Sequence, residues 1–226
     1  MARLLDLDQL RRSLIEVADS DQGLQMAAYM KDRYEFLGVK SPERRSAARA
    51  TMRAAKQANP DDIIQFANQC WMQPEREFQY VASDVLNANV KRIRTSDLTA
   101  VEQLIVTKSW WDTVDALASQ TVGGLVTANP DLAAVMDEWI DSENMWLART
   151  AILHQLKYGE KTDNDRLFRY SLARADDTEF FIRKAIGWAL RQYARVDPDA
   201  VYAFVDQHAA EFSGLTKREA LKHAHR

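Results

Sequence analysis

The chain has 226 residues, of which 46% are hydrophobic and 28% charged, enough apolar material for one sizeable core and too much for a disordered segment. Seven glycines and five prolines against abundant Ala, Leu, Arg, Glu and Gln argue against a turn-rich sheet fold and for helices joined by short turns. Net charge is −3, unevenly spread: residues 1 to 141 carry 16 Lys/Arg against 21 Asp/Glu, and residues 142 to 226 carry 14 against 12.

Met1 is followed by ARLLDLDQLRRSL, which lacks the apolar run of a secretory signal, and the first twenty residues are expected to form a helix docked loosely on the rest. No apolar stretch approaches the roughly 20 residues that span a bilayer, and the single Cys70 has no partner for an internal disulfide. A soluble, cytoplasmic protein without a membrane role is therefore expected. Cys70, next to Trp71, reads as a buried small apolar residue rather than a nucleophile.

Breaks fall at Pro42, Asn59-Pro60, Gln73-Pro74, Gly123-Gly124, Asn129-Pro130, Gly159, Asp197-Pro198 and Gly214, with helical periodicity between them. No linker separates these segments, so one continuous domain over residues 1 to 226 is expected. Aromatic residues recur at Phe78, Trp111, Trp146 and Phe181, at intervals of 33, 35 and 35 residues. A period of that length is the mark of stacked two-helix repeats, and the expected fold is an all-α solenoid of HEAT-like repeats.

Four residues after each shared aromatic stand Ala82, Asp115, Thr150 and Ala185, so Asp115 is the one carboxylate in a register of small residues. Three residues after it stand Val81, Val114, Arg149 and Lys184. On a helix, Lys108, Trp111 and Asp115 in KSWWDTVD would form one row, while Trp110 would pack inward. In EFFIRKAIGWALRQYAR the spacing places Lys184, Trp188, Arg191 and Arg195 on one face, opposite an apolar stripe of Ile182, Ala185, Ile186, Ala189, Leu190 and Tyr193. Each row has two readings at this stage. The first is either a core Trp111 with Asp115 salt-bridged to Lys108 or capping a neighbouring helix, or part of a site; the second is either a solvated basic face or part of the same site.

Taken together as a site, the rows combine cations suited to phosphate, indoles suited to a cation, and a carboxylate that repels phosphate unless the target is itself positively charged. A cationic base inside a polyanion fits, and an alkylated purine in DNA is such a group. Phosphate-loop, dinucleotide, zinc-protease and serine-hydrolase motifs are all missing. His154 and His208 are scattered, and His223 and His225 beside Lys222 and Arg226 read as a basic tail rather than a metal site. No metal or cofactor is expected.

These motifs resemble the AlkD-type bacterial DNA alkylation-repair proteins. The resemblance runs from about Gln25 to His223, through AAYMKDRYEFLGVKSPERR, PEREFQ, EQLIVTKSWWDTVD, WLARTAILHQLKY, EFFIRKAIGWALRQYA and LTKREALKH. It implies a HEAT-like solenoid with a concave DNA-binding face, acting as a glycosylase on N3- and N7-alkylated purines without flipping the base into a pocket. By the same resemblance Asp115 is the catalytic carboxylate, Trp111 and Trp188 cradle the lesion nucleotide, and Arg149 contacts the DNA backbone. Tyr29 and Lys40 match N-terminal positions implicated in DNA contact, although family members often carry Gln at the second. Lys108, Lys157, Lys184, Arg191 and Arg195 complete the DNA-binding set. Alkylated double-stranded DNA is the implied partner and a monomer the implied state; a non-catalytic DNA-binding repeat protein and a protein-interaction scaffold are the alternatives.

Overall fold

The structure, a computed structural model, describes residues 4–222. The tail residues His223, His225 and Arg226 lie outside the described residues. Among the described residues there is no strand, only an isolated bridge between Glu35 and Glu75. The all-α class expected from composition is therefore what the chain adopts. The chain divides into two compact units, one ending at Ala100 and the other beginning at Val101.

The first unit holds α1 (Leu7–Ile15), α2 (Ser20–Tyr29), α3 (Ser41–Ala47), α4 (Arg49–Ala55), α5 (Pro60–Trp71) and α6 (Arg76–Ala88). Helix starts fall where side chains can satisfy the first free peptide N–H groups: Asp6 caps α1, Asp19 caps α2, and Asn59 caps α5 ahead of Pro60. The first helix is not loosely docked. Leu10 and Leu14 are fully buried, α1 packs on α3 and α5, and the Arg11 guanidinium lies 4.8 Å over the Phe78 ring. Helices α5 and α6 form the unit's main pair, with Phe66, Cys70, Trp71, Phe78, Val81 and Val85 buried. The Cys70 thiol is pushed up by burial, which makes it inert as a nucleophile.

One polar device fixes the loop before α3. The buried Glu77 carboxylate accepts the backbone N–H groups of Leu37, Gly38 and Val39 at 3.1, 2.9 and 3.0 Å, which satisfies a charge that burial would otherwise make costly. Gly38 has φ +83°, and a Cβ there would lie 1.8 Å from the Asp19 carbonyl oxygen, so only glycine fits.

Helix α7 (Leu98–Val106) carries the chain into the second unit, followed by α8 (Trp111–Ala116), a π-helical segment Leu117–Val122, α9 (Gly123–Ala128), α10 (Ala133–Ile140), α11 (Met145–Leu153), α12 (Asn164–Ala173), α13 (Phe180–Tyr193), α14 (Pro198–Gln207) and α15 (Gly214–Ala220). Helix α11 is central: residues 146 to 153 are buried without exception, and it packs against α8, α10, α12 and α13. On α13 the stripe Ile182, Ala185, Ile186, Ala189 and Leu190 is buried as its period predicts, with Tyr193 only half-buried. His154, which follows α11, is buried, which pushes its imidazole down to about 4, and its Nδ1 lies 2.6 Å from the Ala151 carbonyl oxygen.

Gly123-Gly124 does not break a helix as its composition suggests. The chain stays helical from Trp111 to Ala128, and a Cβ on Gly123 would stand 2.3 Å from the His154 carbonyl oxygen. Gly123 is therefore a close-approach residue, and its own carbonyl accepts from the Tyr158 hydroxyl at 2.8 Å. The expected repeat shows in polar contacts that join positions one period apart: Asp115 to Arg149, Gly123 to Tyr158, Asp137 to Tyr170, and Lys184 to Glu219 are separated by 34, 35, 33 and 35 residues.

Candidate active site

Lys108 is not on the helix that carries Trp111 and Asp115. It has φ +50°, in the turn between α7 and α8, so the expected three-residue row shortens to two. The turn delivers Trp110 to the position before α8 in extended backbone, φ −157° and ψ 159°. Its ring is buried and meets Phe181 edge-on at 4.9 Å and Trp146 at 5.9 Å, while Trp146 and Phe181 lie 5.1 Å apart. The aromatic that takes part in the repeat packing is thus Trp110, and the repeat register drawn through Trp111 is off by one there. The adjacent indole of Trp111 is half-buried, one turn before Asp115 on the same face of α8.

Above that aromatic cluster sits a two-pronged ion pair. Arg149 Nε donates to Asp115 Oδ1 at 2.7 Å and Arg149 Nη2 to Oδ2 at 2.8 Å, with side chains 5% and 14% exposed. The third nitrogen, Nη1, donates to the Phe181 carbonyl oxygen at the start of α13, and the guanidinium carbon lies 5.8 Å from the Phe181 ring. Burial pushes the Asp115 carboxyl above its ordinary value, Arg149 pulls it back by hydrogen bonding and charge, and Asp112 nearby raises it slightly. The salt-bridged reading of Asp115 is correct in kind, but its partner is Arg149 rather than Lys108. In this arrangement Arg149 is spent on Asp115 and Phe181 rather than free at the surface.

On α13, Phe181, Lys184, Trp188 and Arg191 follow one face at intervals of three, four and three. Trp188 is half-buried and lies about 10 Å along the helix from Phe181 at 1.5 Å per residue. Arg195 falls beyond the helix end at Tyr193 and is exposed, so the expected row of four holds on the helix only to Arg191. Lys184 and Arg191 are both engaged by Glu219 of α15, through Nζ to Oε1 at 2.9 Å and Nη1 to Oε2 at 2.6 Å. Glu219 lies in LTKREALKH, yet nothing in the sequence pattern singled it out. Lys157 is exposed past the end of α11. Tyr29, 74% exposed, and the exposed Lys40, at the start of α3, belong to the first unit.

A model of the family described as DNA alkylation repair enzyme matches residues 10–224. The chain belongs to the DNA alkylation repair enzyme family. None of the curated proteins matches it. Among solved structures, a predicted DNA alkylation repair enzyme from Enterococcus faecalis is 30% identical, with TM-score 0.86 over 92% of this chain and 97% of that one. Two proteins from Streptococcus mutans share the fold at 17% identity: AlkD2, with TM-score 0.62 over 76% of this chain and 87% of its own, and smu.31 of strain UA159, with 0.61 over 76% and 90%. Membership makes this chain a DNA repair enzyme by family and implies DNA as its partner. No described helix is long and apolar enough to cross a membrane.

Proposed function

We propose that this family member is a DNA glycosylase that excises cationic N3- and N7-alkylated purines, such as 3-methyladenine and 7-methylguanine, from duplex DNA. The observation that carries this reading is the Asp115 carboxylate, held by two hydrogen bonds from the buried Arg149 and placed one turn after Trp111. An alkylated purine already bears a positive charge. When its bond to the deoxyribose breaks, the electron pair leaves with the base, which departs neutral and needs no general acid. Positive charge moves to the sugar, where a fixed carboxylate stabilises it and orients the attacking water; the proton lost by that water passes to Asp115 or to solvent. The indoles of Trp111 and Trp188 add cation–π stabilisation around the sugar, worth about 0.5 to 2 kcal/mol each.

The base need not leave the stack for this chemistry, so the reading differs from the extrusion used by most glycosylases. Arg149 acts here chiefly as a positioning residue, setting the Asp115 oxygens. Tyr29 and Lys40 in the first unit, and Lys108, Lys157, Lys184, Arg191 and Arg195 in the second, would meet the DNA backbone, in a monomer without metal or cofactor. The test is release of free 7-methylguanine or 3-methyladenine from methylated duplex. Asp115→Asn, compared below its melting temperature because it strands the Arg149 charge, is expected to lose about 10² to 10³ in rate. Equal release by the variant would end the catalytic role of Asp115. Lesion-dependent binding with no abasic product would assign a non-catalytic DNA-binding role instead.

A further inference from the structure

Trp188 stands between two cations on α13, Lys184 one turn before it and Arg191 one turn after, and a single carboxylate from α15 takes both. Glu219 Oε1 accepts from Lys184 Nζ at 2.9 Å, Oε2 from Arg191 Nη1 at 2.6 Å, and the Glu219 backbone carbonyl accepts from the same Nη1 at 2.9 Å. The helix that delivers it is seated closely. A Cβ on Gly187 would lie 2.5 Å from the Glu219 Cβ and 2.7 Å from the Thr216 carbonyl oxygen, so α15 can cross α13 at this level only over a glycine. Ser213 caps α15, and the Thr216 hydroxyl bonds the Arg183 carbonyl at 3.3 Å. Glu219 is therefore held in place by its backbone, and only its side chain can turn away.

We propose that Glu219 is an intramolecular competitor for DNA phosphate, occupying Lys184 and Arg191 and so restraining the affinity for undamaged duplex. The proposal rests on the reading that this face of α13 meets DNA. A carboxylate and a phosphate offer the same kind of acceptor to Lys and Arg, and both favour paired, charge-assisted hydrogen bonds. With Glu219 in place the cluster presents a net charge of +1 where the two cations alone would present +2. A phosphate that approaches must replace contacts already made, so it gains only the difference. The consequence is a repair enzyme that does not rest tightly on the undamaged backbone, with selection left to the site around Asp115.

The experiment is binding of an undamaged duplex by fluorescence anisotropy across a salt series. Glu219→Gln should bind roughly tenfold more tightly at low salt, with the log–log salt slope steeper by about one to two, as expected when one or two further phosphates are contacted. Glu219→Asp keeps the charge but withdraws the carboxylate by one methylene from a fixed backbone, so its slope should fall between those of wild type and Glu219→Gln. Adding Lys184→Gln to Glu219→Gln should return most of the gain. An unchanged slope in a Glu219→Gln variant with a wild-type melting profile would overturn the proposal. Should that variant not fold, Glu219→Ala takes its place, and an unchanged slope there would overturn the proposal equally. Base release from methylated DNA is measured separately: its absence in the wild type sinks the glycosylase reading and leaves the binding result intact, and an unchanged slope beside normal base release sinks only the role of Glu219.

Discussion

Asp115 and Arg149 are each charged and each nearly enclosed, a combination that costs several kcal/mol per ion unless the pair is well formed. The two-pronged geometry meets that condition, and the bond from Arg149 to the Phe181 carbonyl occupies the remaining nitrogen. Burial raises the Asp115 carboxyl above its ordinary value and Arg149 is the main opposing influence, so removing the arginine has a definite sign. A carboxylate must be ionised to stabilise a cationic sugar, and the rate should fall as pH drops through its pKa. In Arg149→Met the opposing pull is gone, and the acid limb of the base-release profile should move to higher pH, with up to about 100-fold less release at neutral pH from the misplaced carboxylate. The profile is read by scoring released purine over background depurination at each pH. An acid limb that stays in place would mean that Arg149 does not set the charge of Asp115. At this scale the register that reaches Asp115 is drawn on Trp111, and the packing of Trp110 shifts it by one so that Val114 takes the shared position; what marks Asp115 in the sequence is therefore the family resemblance of WWDTVD rather than the register. The sequence did not reveal the partner, since a lone arginine with family precedent for DNA contact gives no sign that it turns inward.

Between helices, the repeat period was legible and its exact register was not. Aromatics every 33 to 35 residues foretold stacked repeats, and hydrogen bonds spanning 33 to 35 residues are their packing signature. Trp110 packs inward as expected, yet the expected register runs through its neighbour Trp111, and the turn around Lys108 is what delivers Trp110 to the cluster with Trp146 and Phe181. Gly123-Gly124 also misled, since a glycine that permits helix contact looks like one that ends a helix. The π-helical segment between Asp115 and Gly123 is a local rewinding with no composition signal, of a kind often found at functional sites. These features yield a prediction with an unusual sign. In a helix interior Gly→Ala commonly stabilises by about 1 kcal/mol. Gly123→Ala should instead destabilise, by roughly 1 to 3 kcal/mol, because the new methyl meets the His154 backbone oxygen at 2.3 Å and backbone cannot turn aside. Urea unfolding gives the sign directly; a variant more stable than wild type would show that α9 is free to shift from the residue that follows α11.

Over the whole molecule, the charge boundary seen in the sequence does not coincide with the division into units. The first unit, to Ala100, carries 15 Lys/Arg and 14 Asp/Glu, a net of +1; the second, from Val101, carries 15 and 19, a net of −4, and the two sum to the chain's −3. Residues 101 to 141 alone hold one cation and seven acids, so the unit that contains Asp115, Trp188 and the α13 cations is acidic in total. Any attraction to DNA in this unit is then a matter of where the cations sit rather than of net charge. Exposed charges act through solvent only within a Debye length of about 10 Å at 0.1 M salt. Neutralising the exposed acids Asp131, Glu138 and Asp141 together should therefore tighten undamaged-duplex binding less than about threefold at moderate salt, and should leave the salt slope unchanged because no further phosphate is contacted. The single change Glu219→Gln, removing one charge instead of three, should have the larger effect on both. If the triple variant steepens the slope as much as Glu219→Gln does, the bulk field of the acidic segment governs DNA binding, and the local contacts on α13 lose their special standing.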